Sequence, residues 1–151
     1  MPINLHAMAA TLGPDGKIYV LGGTNSKMND IKDVQVYDPE TDRWAKGTPM
    51  PYGQECACST LTSGQNGEIV VLGGWGNSQK IALASVAAYN PRTDTWRWLP
   101  QLTTATAGAG AAIIESTNGV IHLYVIGGMP DPTCVQEYSL PLPPGLSGNH
   151  R

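Results

Sequence analysis

Ile18-Tyr-Val-Leu-Gly-Gly23, Ile69-Val-Val-Leu-Gly-Gly74 and Leu123-Tyr-Val-Ile-Gly-Gly128 are three versions of one phrase, an apolar run closed by a glycine pair. From 18 to 69 and from 69 to 123 the steps are 51 and 54 residues. A second phrase follows each: Val34-Gln-Val-Tyr-Asp-Pro39, Val86-Ala-Ala-Tyr-Asn-Pro91 and the shorter Val135-Gln-Glu-Tyr138. A third occurs twice, as Thr41-Asp-Arg-Trp44 and Thr93-Asp-Thr-Trp96, each Trp following its Tyr at the same distance. Several phrases held in register over a period of ~50 residues mark an internal repeat.

Each unit reads as short strands separated by turns. Gly13-Pro-Asp-Gly16, Ser63-Gly-Gln-Asn-Gly67 and Thr117-Asn-Gly119 each separate two apolar runs, and Asp-Gly or Asn-Gly tolerates the positive φ of a hairpin turn. The runs before these turns are rich in small residues: Ala7-Met-Ala-Ala-Thr-Leu12, Ala57-Cys-Ser-Thr-Leu-Thr62 and Ala107-Gly-Ala-Gly-Ala-Ala-Ile-Ile114. Small side chains suit a crowded place where strands converge. From Tyr37 to Trp44 the order is strand, turn, strand, with φ fixed at Pro39 and with Asp38, or Asn90 in the next unit, placed to bond the backbone two residues on. A complete unit has four antiparallel strands, a to d, and the fold class is all-β.

These residues resemble the kelch repeat of β-propellers, and the resemblance covers residues 5 to 138. It implies blades in which strand a lines the central axis and strand d lies outermost. It also gives the diglycines (Gly22, Gly23, Gly73, Gly74, Gly127, Gly128) a place at the end of strand b, where a missing Cβ admits a neighbouring aromatic. Tyr37, Trp44, Tyr89, Trp96 and Tyr138 then serve packing. The expected organisation is one kelch-repeat domain over residues 1–142, with blade 1 at about 5–46, blade 2 at about 55–99 and blade 3 at about 107–138. No Trp follows Tyr138, and Leu140-Pro-Leu-Pro-Pro-Gly145 cannot donate to a ladder at its prolines. Blade 3 is therefore expected to lack its outer strand, with 143–151 a loose Pro/Gly-rich tail. Three blades do not close a ring, since propellers have about 4–8. The bare outer faces of blades 1 and 3 would be covered by a second copy, giving a six-bladed homodimeric ring, or by the remaining blades of a longer chain.

Composition agrees with this and excludes other classes. Gly 18 and Pro 12 make about a fifth of the 151 residues, against about 12% in average usage. Only 14% of residues are charged, which argues against coiled coils and helix bundles. No apolar run approaches the ~20 residues of a membrane helix. A net charge of -3, with dispersed Lys and Arg, leaves no basic stripe for nucleic acid. Cys56, Cys58 and Cys134 are an odd set, expected to be buried reduced thiols. With no basic-apolar leader in the sequence, they set a cytoplasmic expectation.

Motifs for chemistry are sparse. There is no Ser-His-acid set, HExxH, P-loop or Cys-x-x-Cys, and His6, His122 and His150 stand apart from one another. Asp38, Glu40, Asp42 and Asp94 fall in a repeated turn, which marks structure rather than acid-base catalysis. No catalytic residue, metal or cofactor is expected. In kelch propellers the b–c and d–a loops share one face. Here those loops are 24–32, 75–84 and 129–133, and 47–54 and 100–106. They offer Asn25, Lys27, Met28, Tyr52, Gln54, Trp75, Asn77, Gln79, Lys80 and Met129, with Trp75 and Tyr52 as aromatic anchors. Trp75 could equally cover the adjacent blade. Protein-recruiting kelch modules often carry Arg at the start of strand a; Ile3-Asn-Leu5, Tyr52-Gly-Gln54 and Thr103-Thr-Ala105 carry none. The expected function is a non-enzymatic module binding a protein or peptide on this face. The alternatives are a sugar-active enzyme of the mutarotase or galactose-oxidase kind and a structural self-assembly unit.

Overall fold

The structure, a computed structural model, describes residues 1–140 apart from 28, 53, 56–57, 63–66, 77–80 and 116–120; at 54–55, 58–62, 115, 121 and 140 it describes the backbone alone. Along the chain run β1 (Ala9–Leu12), β2 (Ile18–Leu21), β3 (Val34–Asp38), β4 (Arg43–Gly47), β5 (Gln54–Glu55), β6 (Cys58–Thr62) and β7 (Ile69–Leu72). They are followed by β8 (Trp75–Gly76), β9 (Ile81–Ala82), β10 (Val86–Asn90), β11 (Thr95–Leu99), β12 (Gly110–Glu115), β13 (Ile121–Ile126) and β14 (Val135–Leu140).

Pairing sorts them into three antiparallel blades, β1-β2-β3-β4, β6-β7-β10-β11 and β12-β13-β14, plus a small sheet β5-β8-β9. Every hairpin the repeat predicts is present. Blade 3 ends at β14 with no fourth strand among the described residues. Strand β6 touches both β1 and β12, so the small-residue a strands of the three blades lie side by side.

Alternation along blade 2 explains how the blades stack, because successive residues of a strand face opposite sides. Ile69, Val71 and Tyr89 join Tyr19, Leu21, Val34, Val36 and Met50 in a core between blades 1 and 2. Val70, Leu72, Val86 and Ala88 join Leu99, Leu102, Leu123 and Val125 in a second core, between blades 2 and 3. A strand buried on both faces must be apolar at every position, and Ile69-Val-Val-Leu72 is.

The diglycines have a different cause from the one expected. Both glycines of each pair have positive φ, 63° and 92° at Gly22 and Gly23, 60° and 99° at Gly73 and Gly74, and 72° and 92° at Gly127 and Gly128. What their missing Cβ atoms admit is backbone rather than an aromatic ring. A Cβ on Gly23 would lie 2.8 Å from the His6 carbonyl oxygen and one on Gly128 2.9 Å from that of Ala107, while one on Gly73 would overlap the carbonyl oxygen of Thr106. The segment entering each strand a crosses there, and only glycine leaves it room.

Candidate interaction surfaces

The b–c and d–a connections meet at one end of the blades and are tied together by backbone pairing. His6 pairs with Thr24, Leu83 with Thr106 and Ala107 with Met129, and β8 pairs with both β5 and β9. Thr106 bridges blades 2 and 3: its carbonyl accepts from Gly74 N–H at 2.8 Å, and its hydroxyl donates to the Gly127 carbonyl at 3.1 Å.

On this face the candidates of the sequence separate. Asn25 Oδ1 accepts the N–H groups of Lys27 and Asn29, at 2.9 and 3.2 Å, and so shapes its own loop. Lys27 and Met129 are exposed. Gln54 pairs through its backbone with Gly76, and Trp75 is half-buried against the core between blades 2 and 3, the covering role. Tyr52 stacks on Trp98, ring centroids 5.3 Å apart and planes 17° apart. It also lines an open cleft of about 370 Å³ with Asp30, Lys32, Leu83 and Ser85. Met28, Asn77, Gln79 and Lys80 lie outside the described residues, as do Cys56, the side chain of Cys58 and the tail. Cys134 is a free thiol and half-buried rather than buried.

The joints between blades involve residues that the sequence placed only in turns. Asp38 Oδ1 accepts from Glu40 N–H at 3.0 Å, and Asn90 Oδ1 from Arg92 N–H at 2.9 Å, as the repeat predicts. Asp94 does more. Held at φ 53°, it accepts Thr48 N–H at 2.7 Å and the Tyr89 hydroxyl at 2.5 Å, while Trp96 Nε1–H donates to the Thr48 carbonyl at 2.8 Å. Tyr89 and Trp96 sit at 5.0 Å and 37°. Blade 2 thus holds the donor and the acceptor of one residue at the exit of strand d in blade 1. The hydrogen bond from Thr48, then that from Tyr89, lowers the Asp94 pKa. Burial first, and Asp94 second, raises Tyr89 above the usual phenol range.

Blade 1 carries the same set facing away from blade 2. Tyr37 and Trp44 sit at 5.0 Å and 38°, Asp42 has φ 54°, and the Tyr37 hydroxyl donates to Asp42 Oδ1 at 3.0 Å. That hydrogen bond is the main cause of a raised Tyr37 pKa. The opposite end of the array is bare as well. Leu21, Leu72 and Ile126 are equivalent by the repeat, and so are Val34, Val86 and Val135. The first two of each set are 0% exposed, whereas Ile126 is 54% and Val135 64% exposed.

Glutamines fasten two of the incoming segments. Gln136 Oε1 accepts from Thr104 N–H at 2.8 Å, and its Nε2 donates to the Thr104 carbonyl at 3.0 Å. At the equivalent place Gln35 accepts Ile3 N–H at 3.1 Å, but its buried Nε2 has no hydrogen-bond partner among the described residues. Ala87 takes this position in blade 2, where the Tyr52–Trp98 stack does the fastening. Two further polar contacts join side chains within the blades. Arg97 grips Glu68 through two bonds of 2.9 and 2.6 Å, and His122 Nδ1 lies 2.7 Å from Glu137 Oε1. Among the described residues no group of three or more His, Cys, Asp or Glu could hold a metal ion. No helix is long and apolar enough to cross a membrane.

Antiparallel four-stranded meanders, stacked face to face with their first strands adjacent, define the blades of a β-propeller. The profile of the Kelch motif matches residues 6–51 and 58–103, and the chain belongs to the kelch-repeat family. It is similar to the kelch repeat and BTB domain-containing protein 12 of Danio rerio, 32% identical over 148 residues, covering 84% of this chain and 22% of that protein. A kelch-like protein, terF, of Aspergillus terreus is 34% identical over 138 residues, with 85% and 28% covered. An F-box/kelch-repeat protein of Arabidopsis thaliana is 36% identical over 81 residues, with 53% and 20% covered. The matched region is thus 20% to 28% of the length of these relatives.

Proposed function

We propose that this chain is a kelch interaction module whose blades complete a ring and whose loop face binds a protein or peptide. In the ring a second copy supplies the missing blades. Blade 3 of each chain covers blade 1 of the other, and a two-fold axis closes six blades without leaving an edge. The observation that carries this is the exposure of Ile126 and Val135 where the equivalent Leu21, Leu72, Val34 and Val86 are fully buried. Apolar positions that two blades out of three cover completely are built for a neighbour. Relatives in which kelch repeats accompany an F-box or a BTB domain support a recognition role for such a segment.

Light scattering at micromolar concentration tests the ring. The expected mass is twice the 16.0 kDa of the chain, and the mass of a single chain would refute it. The loop face is tested with a ligand selected against the isolated protein. Binding should weaken on Lys27→Ala or Met129→Ala, both exposed, with the melting temperature unchanged. Ligands indifferent to both changes would move the binding surface elsewhere.

A further inference from the structure

We infer that Met1 is the plug of the joint between two copies of this chain, entering the bare face of blade 3 of the second copy against Ile126 and Val135. The inference rests on the two-chain ring and names the contact that closes it. Its template is present at both joints within the chain.

The pairings beside each diglycine fix the register of the incoming segments. Thr24, Trp75 and Met129 each follow a glycine pair, and they pair with His6, Glu55 and Ala107. Five residues before these partners stand Met1, Met50 and Leu102. Met50 enters the core between blades 1 and 2, with Leu21 and Val34. Leu102 enters the core between blades 2 and 3, with Leu72 and Val86. Each is anchored by its own backbone. Met50 N–H donates to the Lys32 carbonyl at 2.8 Å, and Leu102 N–H to that of Ala84 at 2.9 Å. Both acceptors lie two residues before strand c of the blade that receives the plug.

Met1 has the register but not the burial. It opens the same dipeptide as Met50-Pro51, yet it is 45% exposed where Met50 and Leu102 are 2% and 5% exposed. Its segment is nonetheless held in place on blade 1. Gln35 accepts Ile3 N–H at 3.1 Å as Gln136 accepts that of Thr104 at 2.8 Å, and Ile3 and Thr104 are equivalent in this register. Gln35 alternates with Val34 and Val36, which face blade 2, so the segment lies across the opposite face of blade 1.

The receiving surface is on blade 3. Ile126 and Val135 stand where Leu21 and Val34 meet Met50, and where Leu72 and Val86 meet Leu102. The carbonyl equivalent to those of Lys32 and Ala84 is that of Thr133, which accepts no backbone hydrogen bond among the described residues. Plug and receiving surface lie on the two outer faces of the array, and a head-to-tail second copy brings each against the other. The joint so made continues the interface that the chain builds twice within itself.

Sedimentation equilibrium on the dimer tests this, with residue 1 varied behind a leader that is cleaved off without a scar and checked by mass spectrometry. Met1→Ala should weaken dimerisation about three- to tenfold per joint, and so about ten- to a hundredfold for a ring with two joints. Met1→Leu, which copies Leu102, should keep most of the affinity. Val135→Ala trims the other side of the contact, and combined with Met1→Ala it should lose less than the two single losses together. Both residues are exposed in the single chain, so its melting temperature should hardly move and serves as the check on folding. A dimer whose affinity ignores Met1→Ala, falls as far with Met1→Leu, or loses affinity additively in the pair overturns the plug while leaving the ring. A wild-type protein with the mass of one chain overturns both.

Discussion

Truncating Leu72 and Ile126 to alanine, one at a time, separates a face covered within the chain from a face awaiting a neighbour. The two residues occupy equivalent positions, yet Leu72 is 0% exposed in the core between blades 2 and 3 and Ile126 is 54% exposed on the far side of blade 3. Emptying a fully packed site costs about 2–5 kcal/mol, and the complete burial of Leu72 between blades 2 and 3 puts Leu72→Ala at about 3–4 kcal/mol. In a single chain the Ile126 side chain has only half its surface to lose, so Ile126→Ala should cost about 0.5–1 kcal/mol. In the ring the position is different. Burying a whole isoleucine is worth about 1.5–3 kcal/mol. Covering the exposed half is then worth about 1–1.5 kcal/mol per joint and about 2–3 kcal/mol for two joints. That is a loss of roughly 30- to 150-fold in the dimer dissociation constant. Urea unfolding at a concentration where the chain is single reads the first pair of numbers, and sedimentation equilibrium reads the last. If Ile126→Ala destabilises the single chain as much as Leu72→Ala, the assignment of faces is wrong. If the dissociation constant does not move, Ile126 is not in the joint.

Two more expectations concern the interior. Gly73→Ala should lower stability by at least about 2–3 kcal/mol, since it combines a φ of 60° with an overlap on the Thr106 carbonyl; Gly16→Ala, at φ 78° in open space, should cost only about 1 kcal/mol. Equal shifts in urea midpoint would remove the close backbone approach as the reason for the diglycine. Burial, then the Asp15 hydrogen bond, raises Tyr19, as burial and Asp94 raise Tyr89. An unfolded tyrosine ionises near pH 10, so the unfolded chain releases protons that the folded chain keeps. The stability these groups confer is fully present below about pH 10 and declines as pH rises beyond it. Urea midpoints should fall accordingly, and the Tyr19→Phe, Tyr89→Phe double variant should flatten the decline; an equally steep fall would assign it to other groups.

The strands and hairpins were legible because each depends on a few neighbouring residues: Asn-Gly and Asp-Gly mark turns, and Ile69-Val-Val-Leu72 marks a strand covered on both sides. The joints were not. Asp42 and Asp94 look like ordinary turn residues, and only the offset between neighbouring blades brings Asp94 to Thr48. That offset has no local period to betray it. Trp98 carries no sequence signal for a related reason, since its stacking partner Tyr52 lies in the preceding connection. The aspartate five residues beyond Tyr37 and Tyr89 is the available signal for these joints, and within the sequence alone it reads as turn chemistry. The diglycine marks the fold in the sequence, but a sequence does not show that it is backbone, rather than an aromatic ring, that crosses over it. On the loop face, the sequence allows Trp75 to be either an anchor or a cover, and only the stacking of the blades sets it against a core.

The hold that blade 2 keeps on Thr48 engages its peptide unit first, with the threonine hydroxyl adding only a lesser hydrogen bond to Asp94. Such a joint is indifferent to most of the sequence on its far side. Blades linked this way can be duplicated, deleted or recombined between genes without matched substitutions across every seam. A proline at the gripped position, as at residue 100, silences one seam and leaves the rest in place. The history of this fold can therefore run by copying whole units, with a single residue deciding which seams keep the backbone grip.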